Sequence, residues 1–246
     1  LRDDLQAAAR YVQSQLPLPF IHEGIRVDSR VIPCNALGGD FISHSAHNEG
    51  ISFYLLDVTG HGVASGLLAV SLHHSIRQIL ARNNPTVSPG ALLTELNNLF
   101  RFSSQDGRFA TMWYGHIDTK SRILRYASAG HHPALLIRNA QPIELGEGET
   151  PIGIVDDIEY STTTVMLEPR DRIYLFSDGL FEQSSRFGGH QFGRDALHAL
   201  ILDESMTPDT TASNRSTILD RIITNIRADM GIVTFDDDVS IMELAL

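Results

Sequence analysis

The order of predicted strands and helices constrains the fold of this chain more than any other feature of its sequence. Apolar and β-branched runs predict strands along most of the chain, and helical periodicity interrupts them in pairs. A doubly wound parallel sheet needs helices and strands that alternate, so this order argues against it. The order predicts an α+β fold in which a β core is flanked by helices.

The predicted strands are apolar runs separated by turns that contain Gly, Pro or short polar stretches. They are Gly24–Pro33, Ile51–Val58, Phe109–Ile117, Ile123–Ser128, Ala134–Arg138, Glu159–Leu167, Asp171–Phe176 and Asp238–Leu246. We expect Glu159–Leu167 to pair with Asp171–Phe176, because only the turn at Glu168–Arg170 separates them.

The predicted helices have apolar residues at intervals of three and four. They are Leu1–Leu16, Gly62–Ala81, Ser88–Phe102, Gln191–Leu202 and Thr211–Met230. Ser88 followed by Pro89 is a helix start, because Ser caps a helix and Pro fits its first position.

The first helix, Leu1–Leu16, is predicted either to connect an upstream domain to a single domain at residues 17–246 or to pack on the core of that domain. No apolar segment follows a basic start, so we expect no signal peptide. The chain lacks an initiator Met, and we therefore expect it to be a fragment of a longer protein.

Net charge limits the classes of partner that this chain is expected to bind. The sequence has 19 Lys and Arg against 30 Asp and Glu, a formal net charge of −11. Nucleic acids and anionic membranes are bound through Lys and Arg, so we expect neither as a partner. The single cysteine, Cys34, permits no internal disulfide and fits a cytoplasmic location.

Four aspartates lie beside Gly-rich or polar turns in distant parts of the sequence. They are Asp40, Asp57, Asp178 and Asp237, and the last three lie where a predicted strand meets a turn. Carboxylates that converge without Lys or Arg repel one another and bind cations, and Mg²⁺ and Mn²⁺ prefer such oxygen ligands. Asp–Gly pairs are also ordinary turn chemistry, and spacing alone leaves both interpretations open.

Five motifs occur along the chain in a fixed order. They are Gly38-Gly39-Asp40-Phe41, Asp57–Gly62, Ser128–Pro133, Phe176–Leu180 and Asp237–Ser240. In this order they resemble the metal-dependent protein Ser/Thr phosphatases, the protein phosphatase 2C-like family. The resemblance covers about residues 17–246 and is greatest to the bacterial branch that regulates sporulation and stress sigma factors.

The resemblance implies a central antiparallel β-sandwich with helices on both outer faces and a site for two Mn²⁺ or Mg²⁺ ions at one edge. Asp57 is similar to the carboxylate that bridges both ions, and the Val58 carbonyl to a further ligand. Asp178 and Asp237 are similar to the remaining ligands. Asp40 is similar to the residue that holds a metal-bound water.

The activity implied by the resemblance is hydrolysis of phosphoserine or phosphothreonine on a regulatory protein. A metal-activated water attacks phosphorus, and no phosphoenzyme forms. Within this branch the usual substrate is an anti-sigma-factor antagonist. The resemblance also implies that an upstream sensor or receiver domain, as in two-component systems, controls the activity. Whether the chain forms a homodimer is left undecided by the sequence.

Two other functions compete with this one. The first is an adaptor that keeps the fold but has little or no catalytic activity, and the second is a small-molecule phosphohydrolase. A degenerate adaptor is expected to lose at least one of the acids Asp40, Asp57, Asp178 and Asp237. All four are present, which favours the enzyme.

Several other residues are of types that can act as catalysts or metal ligands, and for each we favour a structural role. His61 is expected to fix its turn rather than to act as an acid. His131–His132 and His73–His74 lack the spacing of a zinc site. Cys34 is expected to be a small buried side chain without an adjacent base. Asp238 is not among the expected ligands, because the family uses the first acid of this pair.

Overall fold

The structure is a computed structural model that describes residues 2–60, 62–83, 87–100, 107–146, 148–186, 188, 190–207 and 217–246. Its elements follow in chain order. They are α1 (Arg2–Gln15), β1 (Phe20–His22), β2 (Ile25–Ile32), β3 (Asp40–His47), β4 (Gly50–Val58), α2 (Val63–Asn83), α3 (Pro89–Leu99), β5 (Ala110–Asp118), β6 (Ile123–Ala129), β7 (Ala134–Arg138), β8 (Gln141–Leu145), β9 (Thr163–Met166), β10 (Arg172–Phe176), a 3-10 turn (Asp178–Leu180), α4 (Arg194–Met206), α5 (Ile218–Met230) and β11 (Val239–Ala245).

The strands form two antiparallel sheets that pack face to face. One sheet has the order β1-β2-β11-β10-β7-β8, and the other has the order β3-β4-β5-β6-β9. Large apolar side chains fill the space between the sheets, among them Phe53 and Trp113, whose ring centroids are 5.7 Å apart. The predicted α+β sandwich is confirmed.

Helices cover both outer faces of the sandwich, as predicted. α2 and α3 pack on the five-stranded sheet, and α4 and α5 pack on the six-stranded sheet. The four-residue spacing of Ile218, Ile222, Ile226 and Met230 buries one face of α5. In the described part of the chain, no helix has the length and apolar character needed to cross a bilayer.

One predicted pairing is wrong. β9, within the predicted Glu159–Leu167, pairs with β6, whereas β10, within Asp171–Phe176, pairs with β7 and β11 in the other sheet. The buried Asp171 carboxylate accepts hydrogen bonds from Arg138 Nε at 3.0 Å and from the Glu168 backbone at 2.8 Å. These bonds hold the segment where the chain crosses between sheets instead of forming a hairpin.

The predicted helices differ from the observed ones mainly at their ends. Ser88 caps α3, and its Oγ accepts a hydrogen bond from Ala91 N at 3.4 Å. α4 begins at Arg194 rather than at Gln191, because Gly193 adopts φ +85° immediately before it. Residues 101 and 102 of the predicted third helix and residues 211–216 of the predicted last helix lie outside the described residues.

Buried histidines link the stability of this fold to pH. Burial lowers the pKa to about 4 for His44, His73, His116 and His131. His73 of α2 is 3% exposed, its ring lies 4.3 Å from that of Phe41, and its Nδ1 is 2.6 Å from the Tyr54 hydroxyl. In the unfolded chain a histidine takes up a proton near pH 6.5. Folding stability therefore falls as the pH drops from about 6.5 towards 4.

We predict that His73→Asn weakens this pH dependence while keeping a polar partner for Tyr54. Between pH 7 and pH 5, the free energy of unfolding of the unaltered chain should fall by about 1–2 kcal/mol more than that of the variant. Urea unfolding at both pH values measures this difference. Carboxyl groups of raised pKa act in the opposite direction, but they are common to both proteins and cancel.

His74→Asn is the matched control for this experiment, because His74 is the exposed neighbour of His73 on the same helix. Its free energy of unfolding should follow the pH dependence of the unaltered chain. Equal pH dependence in all three proteins would contradict the assignment of His73 as a buried neutral histidine.

Candidate metal centre

Asp40 and Asp57 meet at one edge of the five-stranded sheet. Asp40 is the first residue of β3, and Asp57 is the last but one residue of β4. The antiparallel register places them directly opposite each other. Opposed residues in such a pair project to the same face with Cβ atoms about 5 Å apart. The fold therefore brings together two acids that lie on consecutive strands.

Asp178 and Asp237 come from the six-stranded sheet. Asp178 opens the 3-10 turn just after β10, and Asp237 lies just before β11. These strands are paired neighbours, and Ser177 N donates to Ser240 O at 2.9 Å beside the two acids. The end of β10 and the start of β11 therefore present both acids at the same edge of this sheet.

Electrostatics show that the acids of the two sheets share one site. Burial raises the pKa of Asp57 to about 7, and the charges of Asp178, Asp237 and Asp238 act in the same direction. Burial and then the charge of Asp57 raise the pKa of Asp40 well above its usual value. Burial raises the pKa of Asp178, with Glu182 and Asp237 adding to the effect. The four predicted acids therefore lie together, and we call them the acid centre.

The acid centre has the properties of a cation site. Asp40 is 7% exposed, and its Oδ2 is buried without a hydrogen-bond partner. Within the described ranges, no Lys or Arg forms an ion pair with Asp40, Asp57, Asp178 or Asp237. Buried carboxylates of like charge are stable together when a cation offsets their repulsion. An all-oxygen donor set suits a hard divalent ion.

The backbone around the acid centre is closely packed at Gly39. A Cβ atom at this position would lie 2.5 Å from the Val58 carbonyl oxygen, so no larger residue fits without a shift. Val58 N in turn donates to Gly39 O at 3.2 Å. Glycine therefore allows the loop before β3 to lie against the end of β4, where Val58 is predicted to be a ligand.

Asp238 holds this loop in place, a role that the motif comparison did not indicate. Its Oδ1 accepts a hydrogen bond from Cys34 N at 2.9 Å, and its Oδ2 accepts one from Gly39 N at 2.7 Å. Both oxygens are therefore committed to backbone donors. A Cβ at Gly38 would lie 2.5 Å from the Asp238 carboxylate, and this second glycine before Asp40 is the sequence signal for the contact.

The compact group of potential ligand atoms differs from the predicted set. In the part of the chain that the structure describes, Cys34, Asp237 and Asp238 bring one ligand atom each within 4.8 Å of one another, and no three of the predicted acids do so. Cys34 is half-buried rather than buried as predicted. Burial and the charges of Asp238 and Asp237 raise the pKa of its thiol to about 11, so the thiol stays neutral.

The histidine pairs have structural surroundings. His131 is buried, its Nδ1 lies 2.8 Å from His132 O, and its own carbonyl accepts a hydrogen bond from Ser128 Oγ at 2.9 Å. His73 and His74 lie on α2, within the predicted helix Gly62–Ala81. Among the described residues, neither pair belongs to a group of three potential metal ligands. The predicted role of His61 lies outside the described residues.

Comparison with solved structures identifies the fold. The SiaA-PP2C domain of Pseudomonas aeruginosa superposes with a TM-score of 0.84 at 21% identity, over 99% of this chain and 96% of that domain. RsbX in complex with magnesium superposes with a TM-score of 0.65 at 15% identity, over 93% of this chain and 98% of that chain. These similarities confirm the predicted protein phosphatase 2C-like fold.

Sequence comparison identifies the family. Phosphoserine phosphatase RsbP of Bacillus subtilis is 28% identical over 187 residues, which cover 74% of this chain and 46% of that protein. This chain spans about half the length of the curated relatives that it matches. The family model described as Stage II sporulation protein E (SpoIIE) matches residues 47–246, which include Asp57, Asp178 and Asp237. With most of its length matched by that model, the chain belongs to the SpoIIE family.

Proposed function

We propose that this chain is a phosphatase, dependent on two Mn²⁺ or Mg²⁺ ions, that hydrolyses phosphoserine or phosphothreonine on a regulatory protein. The observation that carries the proposal is the acid centre, where the buried Asp40 and the half-buried Asp57 lie opposite each other and, among the described residues, neither forms an ion pair with Lys or Arg. Family membership supports the reaction class, because a relative of this chain is named a phosphoserine phosphatase.

We assign the ligands by the position of each group. Asp57 lies opposite Asp40 and is acted on by the charges of Asp178 and Asp237 from the other sheet, so it would hold metal together with either group. The Val58 carbonyl, Asp178 and Asp237 would complete the ligand set. Divalent ions in such a site make a water nucleophilic near neutral pH and offset charge on the transferring phosphoryl oxygens. The magnesium complex of one fold neighbour supports the choice of metal.

The remaining tasks fall to residues of this chain. Asp40, with Oδ2 unpartnered and buried, is placed to accept a hydrogen bond from a water molecule in the site and so to orient it. Asp238 fixes the loop before Asp40 through its two backbone hydrogen bonds. Rigid placement of the water and the phosphoryl group is a large part of catalysis in phosphoryl transfer.

The substrate is proposed to be a phosphoprotein, an anti-sigma-factor antagonist being the favoured class. Relatives named phosphoserine phosphatase RsbP, phosphoserine phosphatase RsbU and Stage II sporulation protein E support this assignment. Residues 17–246 are proposed to form the phosphatase domain, with the helix at 1–16 connecting it to an upstream sensor or receiver domain in the cytoplasm. An adaptor is less favoured, because the acid centre keeps all four acids.

One prediction of this proposal is that hydrolysis depends on added metal. Hydrolysis of an aryl phosphate and of a phosphoserine peptide should require added Mn²⁺ and should stop in EDTA. Asp178→Asn removes one proposed ligand. Loss of an outer-shell partner typically lowers metal affinity or activity 10–100-fold, and loss of a direct ligand should lower turnover by at least as much. Calorimetry should show a corresponding loss of Mn²⁺ affinity.

Asp203→Asn is the matched control, because Asp203 is exposed on α4 and its side chain has no described bond. This variant should keep both turnover and Mn²⁺ affinity. Turnover that persists in EDTA, or equal Mn²⁺ affinity in the Asp178→Asn and Asp203→Asn variants, would refute the proposal. Tight Mn²⁺ binding without turnover of either substrate would instead favour the adaptor.

Another prediction concerns the role of Asp238 in positioning the loop before Asp40. In Asp238→Asn one carboxylate oxygen becomes an NH₂ group, which cannot accept a hydrogen bond from Cys34 N or Gly39 N. Mn²⁺ affinity should fall about 10–100-fold although Asp57, Asp178 and Asp237 are unchanged. At saturating Mn²⁺, turnover should return only in part, because the loosened loop no longer holds Asp40 in place to orient the water. Unchanged Mn²⁺ affinity would show that the loop does not depend on this carboxylate.

A further inference from the structure

A polar surface lies on the outer face of the five-stranded sheet, away from the acid centre. Side chains that share this face form rows across β3, β4 and β5. The first row is Phe41, Leu56 and Met112, the second is Ser43, Tyr54 and Tyr114, and the third is Ser45, Ser52 and His116. The face is therefore apolar beside the acid centre and polar over the next two rows.

A cleft of about 330 Å³ opens over this polar surface. His73 and Arg77 of α2 form one wall, and Gln15 and Pro17, at and just after the end of α1, form another. Its volume falls at the lower end of the range for small-molecule sites. Ser45 lies five residues from Asp40 along β3, about 17 Å at 3.4 Å per residue, so the cleft is separate from the acid centre.

Several polar groups of the third row satisfy one another. Ser52 Oγ lies 3.2 Å from His116 Nδ1 and 3.0 Å from His47 Nε2, and it accepts a hydrogen bond from the Tyr114 hydroxyl at 3.2 Å. Tyr54 and His73 are bonded in the same way. These contacts give the cleft a fixed polar floor. Such a floor favours a polar ligand over an apolar group.

Other polar groups at the cleft have no partner in the protein. Ser45 lines the cleft and is exposed, and among the described residues its hydroxyl group has no hydrogen bond. Among the described residues, the Arg77 guanidinium has no ion pair and no hydrogen bond, and no carboxylate lines the cleft. In a chain of net charge −11, an unpaired Arg beside hydroxyl groups is a local site of positive charge.

We propose that this cleft binds a small oxyanion, a carboxylate or phosphate group of a low-molecular-weight ligand. The guanidinium of Arg77 donates paired hydrogen bonds that match such a group. The hydroxyl of Ser45 adds a polar contact from β3. A ligand in this position touches the end of α1, β3 and α2 together, and so stabilises the packing of α1 on the sheet.

The test is a titration of the metal-free chain, followed by NMR of backbone amides, with inorganic phosphate in one arm and succinate in the other. Saturable shifts are expected at Ser43, Ser45 and Gln15 in at least one arm, and the arm that responds identifies the oxyanion. In Arg77→Gln the dissociation constant should rise at least tenfold. Arg10→Gln removes an exposed Arg outside the cleft and should bind as the unaltered chain does.

Three results would overturn the proposal: no saturable shift with either anion at millimolar concentration, equal affinity in the Arg77→Gln and Arg10→Gln variants, or shifts confined to the segments around Asp40 and Asp57. Ser45→Ala is a second variant that should also weaken binding if Arg77→Gln fails to fold. Because no metal is present and no turnover is measured, the result is independent of the proposed phosphatase activity.

Discussion

Repulsion among buried carboxylates is the constraint on which the rest of this structure depends. Asp40, Asp57 and Asp178 all have raised pKa values, and burial is the largest cause for each. Holding them together costs free energy that an apolar or paired cluster would not cost. The sandwich supplies the rigidity for this arrangement, because the acids lie at or beside the ends of strands that pack into the apolar cores.

The two sheets contribute different parts of the acid centre, and Asp238 links them. It precedes β11 of one sheet and binds the loop that leads into β3 of the other. Gly39 lets that loop approach the end of β4 closely. The position of Asp40 therefore depends on contacts from both sheets, so that a disturbance of this loop changes the metal site without touching a ligand.

The residue pattern predicted a β core flanked by helices, whereas the sandwich and the convergence of the four acids were expected only from the family resemblance. Strands with a strong apolar pattern, such as β4 and β5, were found because their burial dictates their composition. β3 was missed because Ser43, His44, Ser45 and His47 give it a polar sequence. The structure explains the two serines by the cleft over their face. The pairing of β9 with β10 was predicted wrongly, because a short turn does not reveal that the chain changes sheets. The tether formed by Asp238 depends on residues some 200 positions apart in sequence, 204 for Cys34, and no local pattern encodes such a contact.

Anomalous diffraction at the manganese edge, from crystals of the chain grown with Mn²⁺, tests the account of the acid centre most directly. The account predicts two anomalous peaks, both in contact with Asp57, one of them also in contact with the Val58 carbonyl and the other with Asp178 and Asp237. A single peak held by Cys34, Asp237 and Asp238, or no peak near Asp57 in crystals soaked with Mn²⁺, would contradict it.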